Sequence, residues 1–558
     1  MDENVRNGNF SHLPSQEELF SPIRLPCGRT VQNRFVKVSL YEHMSALFGG
    51  PPNAAHFELY SRWSQGRWGI IMTGNVQVAR DHLTLGRDLV IPEHISPETL
   101  KPFERLANII HGGSGKGSDD RQSTASLAIM QLSHAGRQSP NFLGGRWPFS
   151  PPFGPSAVPV GRRGNSQGEH TSSFSRFLHN ICFQTPTVMS LSDIDDAVAS
   201  FVRGAQVAAQ SGFDGVELHA SHGYLIAQFI SPKTNLRSDA YSEPLHFLHH
   251  IVSSIRSPGM VPDNFILGIK LNASDYVEES SNGTEDEQAY SRTGMQETLA
   301  LEHVKEIARW EMVDFIQVSG GDYEHPDFMS VRSGSQRQGL FAHFSRNAVR
   351  ALTSQSLDTQ NSTRNEEADS STAPPKPPPL VLLTGGLRSL PLLSSALSQK
   401  HAHLLGLGRL SILYPELPRT LAEALTNRDN TLLMESPPEP DIHGLGRRNP
   451  GDKVELGDHI ARVFLSFLMW LWTLFPLEFP RLVGAGTTMA WYIVMLRRIA
   501  SGQEPDYSVG GLSAVLRMWL WFAPDGEAGS TTTNSILDSW IVMGLIGLVI
   551  GLAVGNIV

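Results

Sequence analysis

A chain of 558 residues with 40% apolar content exceeds one ordinary domain and can bury a sizeable core. Its formal net charge of -10 argues against nucleic acid as a partner, and its two distant cysteines, Cys27 and Cys182, exclude a disulfide scaffold and any iron–sulfur cluster held by four cysteines. The first segment, 1–18, is polar and has no basic start leading into an apolar run, so it predicts a chain that begins in the cytosol without a secretory signal.

From residue 19 the chain alternates strand and helix signals. Leu19 to Lys37 reads as a hairpin with Cys27-Gly28 at its turn, leading into a strand from Phe35 to Leu40. The spacing of Phe57, Leu59, Tyr60 and Trp63 suits one face of a helix over His56 to Gly66. Gly69 to Val78 reads as the second strand, its end marked by Gly74-Asn75, where a glycine permits close approach of a planar cofactor. Pro97 to His111 is a helix, and a polar Gly- and Ser-rich insert separates it from strand three, Leu127 to Leu132. Asn141 to Thr185 is loop-like and long enough to cap a barrel mouth. Ser192 followed by Asp195 marks the start of a helix over Ser190 to Ser211, with Ile194, Val198, Phe201, Val202 and Ala205 on its apolar face.

That helix leads to the stretch that organises the chain, Gly212 to Tyr241. An apolar run, Gly215 to Leu218, predicts a buried strand that opens into a loop carrying His219, His222 and Tyr224. An α/β barrel keeps its active site in such loops, at the C-terminal ends of its strands. Two imidazoles can hold a carbonyl or phenolate oxygen, and a phenol can deliver a proton. A His-x-x-His pair could also bind a metal, but zinc needs a third protein ligand, and no nearby Cys, Asp or Glu has a convincing spacing. Histidines that merely satisfy a loop's backbone are the remaining reading.

Four further elements follow in order. Ile266 to Leu271 is strand five, with Lys270 pointing out near its end; Leu299 to Trp310 is a helix; Phe315 to Ser319 is strand six, ahead of Gly320-Gly321. Residues 355–379 are rich in Ser, Asn, Glu and Pro without apolar periodicity and predict a disordered insertion within the domain. Strand seven, Leu380 to Thr384, enters Gly385-Gly386, and strand eight, His403 to Leu407, enters Gly408-Arg409. Glycine-bearing turns after the last two strands are what a barrel uses to cradle a phosphate with backbone N–H groups, and Arg409 adds a cation.

VELHASHGYLIAQFISPKTNLRSDAY resembles the signature of the old yellow enzyme family, flavin-dependent ene-reductases built on an eight-stranded β/α barrel, and QLSHAGRQ from Gln131 to Gln138 resembles that family's QLxHxGR pattern. The resemblance covers about three quarters of the chain, to about Leu425, and implies a (β/α)8 TIM barrel over 19–430 with FMN as cofactor and NADPH or NADH as reductant. It implies that His219 and His222 bind the activating oxygen of the substrate while Tyr224 donates a proton. The backbone at Val38, Ser39 and Leu40 would lie against the flavin, and Tyr41 stands where family members commonly place Thr or Cys. Gln131 takes the position that pairs with the flavin pyrimidine edge, a task suited to an amide, which both donates and accepts. Lys270 occupies the place of a basic residue near flavin N1, where a cation stabilises the anionic reduced ring. The phosphate of Gly385, Gly386, Gly408 and Arg409 becomes that of FMN. His134 and Arg137 are read as structural.

Beyond the barrel lie a proline-rich charged linker at 431–460 and an apolar or amphipathic helical extension at 461–535. In it, Val463 to Phe475 is short for a membrane span, and Ala490 to Ala500, with Arg497 and Arg498, is a helix expected to fold back on the barrel. Trp540 to Val558 is uncharged, with Gly547, Gly551 and Gly555 four residues apart, and predicts a C-terminal transmembrane anchor within 536–558. The sequence therefore predicts an α/β enzyme, cytoplasmic or tethered to the cytoplasmic face of a membrane, acting on an electron-poor alkene. The alternatives are a flavin-dependent dehydrogenase or isomerase of a biosynthetic pathway, and a membrane-tethered scaffold without catalysis.

Overall fold

Uninterrupted runs of aliphatic residues bounded by Gly, Asp and Asn become the strands here, and each is followed by a helix that covers its outer side chains. The computed structural model describes residues 16–113, 125–160, 182–273, 285–320, 341–355, 376–426 and 481–521. Its strands are β1 (Phe35–Lys37), β2 (Ile70–Gln77), β3 (Leu127–Ser133), β4 (Gly215–Ala220), β5 (Ile266–Asn272), β6 (Phe315–Ser319), β7 (Leu380–Thr384) and β8 (Leu404–Leu407). Each pairs in parallel with the next, and β8 returns to β1 through Leu405↔Phe35 and Leu407↔Lys37, closing an eight-stranded barrel. The expected TIM barrel is the observed one.

Alternation along the strands divides the core in two. Val36, Ile70, Ile129, Ile266, Phe315 and Leu404 point inward and form one cluster with Leu25 and Val31. Phe35, Ile71, Met130, Leu218, Ile316 and Leu405 point outward into a larger cluster shared with the helices. The N-terminal hairpin, Ile23–Arg24 with Thr30–Val31, plugs the floor. Its Cys27 N–H donates to Asp314 at 2.7 Å and its Arg29 guanidinium to Asp214 at 2.6 Å. Each of those aspartates immediately precedes a barrel strand.

Several boundaries differ from the sequence reading. The helix before β4 spans Leu191–Gln210 and is capped by Ser190 with Asp193, the same spacing as Ser192 with Asp195 but two residues earlier. Ser190 has the extended backbone of a cap, and its Oγ accepts from the Asp193 N–H. The helix ahead of β6 is longer than Leu299 to Trp310 and spans Glu285–Arg309. β2 continues past Gly74-Asn75 to Gln77, across an irregularity in its pairing with β3 between Met72 and Asn75. Lys270 does not point out: alternation from Ile266 puts it on the inner face of β5, and it is buried.

The C-terminal segment contains helices Arg481–Ala500 and Gly511–Trp519, which pack on each other. The first also lies against helix Ala54–Ser64 and the short helix Arg409–Leu413, so the extension folds back on the barrel as expected. Trp491, Ile493, Met495 and Leu496 are buried in the outer core. Among the described residues no helix is long and apolar enough to cross a membrane. The linker at 431–460, Val463 to Phe475, the expected anchor at 536–558 and residues 356–375 of the expected insertion lie outside the described residues.

Candidate active site

β4 delivers His219 on the inner face, and the chain then turns sharply through Ser221, His222 and Gly223. His222 and Gly223 both have positive φ, 58° and 73°. A side chain at 223 would meet Gln138 Oε1 at 2.7 Å, so glycine is required there for conformation and for space. The turn is held by the segment after β3 and by the helix Leu225–Ile230 that follows the turn. Gln138 Nε2 donates to His222 O at 2.9 Å, Gln228 Nε2 to Gly223 O at 2.8 Å, and the Leu225 N–H to His134 O at 2.9 Å. Arg137 points away from this turn and binds the carbonyls of Val158 and Pro159, a structural role.

This turn gathers three functional groups. The His219 ring lies 5.0 Å from that of His222 and 4.6 Å from that of Tyr224, centroid to centroid. Asn75 Nδ2 donates to the Tyr224 hydroxyl at 3.2 Å, and His222 Nε2 is 2.9 Å from Ser319 Oγ. Burial first, and the Lys270 charge second, hold both imidazoles well below their ordinary pKa, so each is neutral at physiological pH. The Ser221 N–H donates to His219 Nδ1, which leaves the proton of the neutral His219 ring on Nε2, ready to be given as a hydrogen bond.

A second polar layer lies next to it inside the barrel. Gln131 Nε2 donates to Glu217 Oε2 at 2.5 Å, and Lys270 acts electrostatically on the same carboxylate. Burial pushes Glu217 up to about 7, while Lys270 pulls it down; burial lowers Lys270 to about 8, with Glu217 opposing. Neither Glu217 nor Gln317, which is paired in register with Lys270, stood out in the sequence. The signal was available: Gly215, Glu217 and His219 alternate along one strand face, as do Phe315, Gln317 and Ser319.

At the end of β1, Val38 joins the inner cluster and Ser39 Oγ donates to Thr73 O at 2.6 Å. Tyr41 sends its hydroxyl to Asp88 at 3.3 Å, and its ring lies 5.8 Å from that of His43. Gly74 has an internal reason to be glycine. A side chain there would meet Leu40 O at 2.6 Å and the Glu42 carboxyl carbon at 2.8 Å, because the β1 loop crosses it closely. Glu42 in turn accepts from the Gly74 N–H and from the Tyr60 hydroxyl.

The two glycine turns stand at the same mouth. Gly385 and Gly386 have φ of 107° and 72°, and Gly408 sits beside the side chains of Val38 and Leu40. Arg409 approaches Tyr492 of the C-terminal segment, with its guanidinium carbon 5.8 Å from the ring centroid. The donor set fits FMN on one independent observation: some of the buried polar atoms that lack partners among the described residues lie on the inner faces of the strands and at the mouth turns. They include Gln131 Oε1, Glu217 Oε1, both amide atoms of Gln317, Thr384 Oγ1 and Arg409 Nη1. Such atoms are rare in a finished interior and mark a place where something else supplies the partner.

Comparison with known proteins agrees with this geometry. Residues 18–327 match the NADH:flavin oxidoreductase / NADH oxidase family. NADH-dependent flavin oxidoreductase iccE of Talaromyces variabilis is 31% identical over 411 residues, covering 72% of this chain and 86% of that protein. NADH-dependent flavin oxidoreductase iliE of Neonectria sp. (strain DH2) is 32% identical over 424 residues, 75% of this chain, and the match spans only 48% of that relative's length. Among solved structures, morphinone reductase superposes with a TM-score of 0.51 at 16% identity, over 74% of this chain and 90% of that one, a likeness of fold.

Proposed function

This chain belongs to the NADH:flavin oxidoreductase / NADH oxidase family and is an oxidoreductase that takes FMN as cofactor and a nicotinamide as reductant, and from that premise we propose that it reduces the C=C bond of an α,β-unsaturated carbonyl compound. The observation that supports this most is the meeting of two neutral imidazoles and a phenol at the end of β4, beside the polar layer of Gln131 and Lys270. His219 gives its Nε2 proton, and His222 a second hydrogen bond, to the carbonyl oxygen, drawing charge toward it as the alkene is reduced. Tyr224 delivers a proton to the α-carbon. Asn75, which donates to the same hydroxyl, fixes the phenol so that its own hydrogen faces away from the amide. Bound FMN, once reduced by NADPH or NADH, would supply the hydride that the β-carbon takes up.

Toward the cofactor, the backbone of Val38 and Ser39 lines the ring with Tyr41 and Gly74 at its side, and Gln131 meets the pyrimidine edge. Lys270 stands near N1, and the turns Gly385-Gly386 and Gly408-Arg409 take the phosphate. The test is the visible spectrum of the purified protein during anaerobic addition of NADPH or NADH and then cyclohexenone. The expected result is an oxidised-flavin spectrum that bleaches with nicotinamide and returns with the enone. Bleaching without return would reject the substrate class, and a spectrum without flavin would favour the scaffold reading.

The location rests on sequence alone: the uncharged run Trp540 to Val558 tethers the enzyme to a membrane facing the cytoplasm. Release of the full chain from membranes by alkaline carbonate would reject it.

A further inference from the structure

The loop after β1 passes through His43, a non-glycine residue with positive φ, 52°. A side-chain-bearing residue stays in that region only where its surroundings hold it there. Here the hold comes from the C-terminal segment. Arg497, on helix Arg481–Ala500, donates through Nη2 to His43 O at 2.7 Å and to His43 Nδ1 at 2.9 Å. Its Nη1 donates to the carbonyls of Arg517 and Met518 at 3.1 and 3.0 Å, and the Trp521 ring covers the guanidinium at 4.3 Å. Burial first, then the charges of Arg497 and Arg87, hold the imidazole well below its ordinary pKa, so the ring is neutral. Because Nδ1 accepts, the proton is on Nε2, which gives it to Leu85 O at 3.3 Å. His43 is thus fixed at its backbone and at both ring nitrogens.

His43 in turn fixes its neighbour Glu42. That buried carboxylate accepts from the Tyr60 hydroxyl and from the Gly74 N–H, the latter at 3.2 Å, and lies 3.5 Å from His56 Nε2. Gly74 sits where the pairing of β2 with β3 is irregular, and the residue after it, Asn75, donates to the Tyr224 hydroxyl at 3.2 Å. Contacts therefore run without a break from Arg497 to His43, from Glu42 to Gly74 and from Asn75 to Tyr224, joined by the peptide bonds 42–43 and 74–75. Glu42, His43, His56 and Asn75 also line one cavity of about 180 Å³. A side chain beside open space is not held by packing alone, so the place of Asn75 depends on the hydrogen-bonded loop.

We propose that Arg497 is a positioning residue for the proton donor: by holding His43, the C-terminal segment sets the Gly74-Asn75 turn and thereby the orientation of the Tyr224 hydroxyl. This rests on the reading of Tyr224 as the group that protonates the α-carbon. Coupling over such a distance needs an element with two arrangements, and His43 supplies it. Released from Arg497, it relaxes toward negative φ and carries the Glu42 carboxylate away from the Gly74 N–H.

The test is stopped-flow measurement of the two half-reactions in the full-chain enzyme, with hydrogen exchange of the apoprotein alongside. Arg497→Lys keeps the charge and loses the planar fork that binds carbonyl and ring together. Reoxidation by cyclohexenone should slow about 3- to 30-fold, with bleaching by nicotinamide and FMN affinity unchanged. In an Asn75→Ala background the same substitution should add nothing, because the last link is already gone. The amides of β2 should exchange faster in Arg497→Lys apoprotein, and those of β5 should not. His43→Gly tolerates the positive φ without strain, so it keeps the fold while removing the ring, and it should slow reoxidation in the same way. Equal slowing of both half-reactions, or a loss that adds in full to that of Asn75→Ala, would overturn the proposal in favour of a purely structural role. Unchanged reoxidation in both Arg497→Lys and His43→Gly would overturn it too. Wild-type enzyme that cyclohexenone does not reoxidise would instead remove the reading of Tyr224; exchange in β2 still reports on Arg497, and unchanged exchange there would overturn its hold on the turn.

Discussion

The two ends of the barrel interior treat buried polar groups in opposite ways. At the floor, Asp314 accepts from Arg256, the Leu267 N–H and the Cys27 N–H, and Asp214 accepts from Arg29 and the Ala128 N–H and pairs with His111. At the mouth, Gln131 Oε1, Glu217 Oε1 and the whole Gln317 amide have no partner among the described residues. The floor is completed by its own chain, and the N-terminal hairpin is the piece that completes it. The mouth is left incomplete, at a cost of about 1–3 kcal/mol for each unpaired group, and a ligand that supplies the partners recovers that cost on binding. Stability and function are thereby assigned to opposite ends of the same strands.

The largest expected effect is chemical and confined to the mouth. Tyr224→Phe should slow reoxidation of reduced enzyme by cyclohexenone by about 10²- to 10⁴-fold, the usual worth of a positioned general acid, with bleaching by nicotinamide retained. Stopped-flow measurement of the two half-reactions separates them, and unimpaired reoxidation would reject Tyr224 as the proton donor.

At the floor, Asp314→Ala should cost about 3–5 kcal/mol in urea unfolding, because Arg256 and two backbone N–H groups lose their common acceptor. The flavin spectrum of the protein that still folds should be unchanged. A shifted flavin spectrum with intact stability would reverse the assignment of the two ends.

A pH test sharpens the contrast. Glu217 is raised from 4.5 to about 7, so the folded apoprotein holds a proton that the unfolded chain has already lost. The stability this gives is full below pH 4.5 and is lost as pH rises through about 7, with a slope of at most about 1.4 kcal/mol per pH unit. Lys270, lowered from 10.5 to about 8, gives the opposite slope, stability rising between pH 8 and 10.5. Glu217→Gln should flatten the first slope in apoprotein melting curves. A wild-type apoprotein whose stability does not fall over that window would show that the carboxylate ionises normally.

The smallest effect carries an unusual sign. Gln317→Leu removes two unpaired polar atoms at similar volume and should stabilise the apoprotein by about 1–3 kcal/mol, while reducing the rise in melting temperature that FMN produces. Destabilised apoprotein would mean that the amide already has a partner.

Strands six and seven were legible to the residue, because Phe315–Ser319 is a mainly apolar run between Asp314 and Gly320, and Leu380–Thr384 is an apolar run ending at Gly385. The set His219, His222 and Tyr224 was legible because all three come from one strand and the loop after it. Glu217 and Gln317 were missed although period-two alternation places them with His219 and Ser319, since a polar residue inside an apolar run reads as an interruption until the barrel is closed. Lys270, expected to point out near the end of its strand, lies on the inner face, where the closed barrel supplies Glu217 as its counter-charge.

By itself the sequence determined the order of strands and helices, the barrel that such alternation must form, and the local chemistry of the β4 loop. These depend on spacings of a few residues, which apolar periodicity and turn residues encode directly. Only the tertiary structure decided which polar groups meet. The contact of Arg497 with His43 joins residues 454 positions apart, and that of Tyr492 with Arg409 joins a helix beyond the barrel to the turn after its last strand. Such pairs are fixed by how the helices dock on the closed sheet, a choice made by packing and burial over the whole core and not by any local pattern.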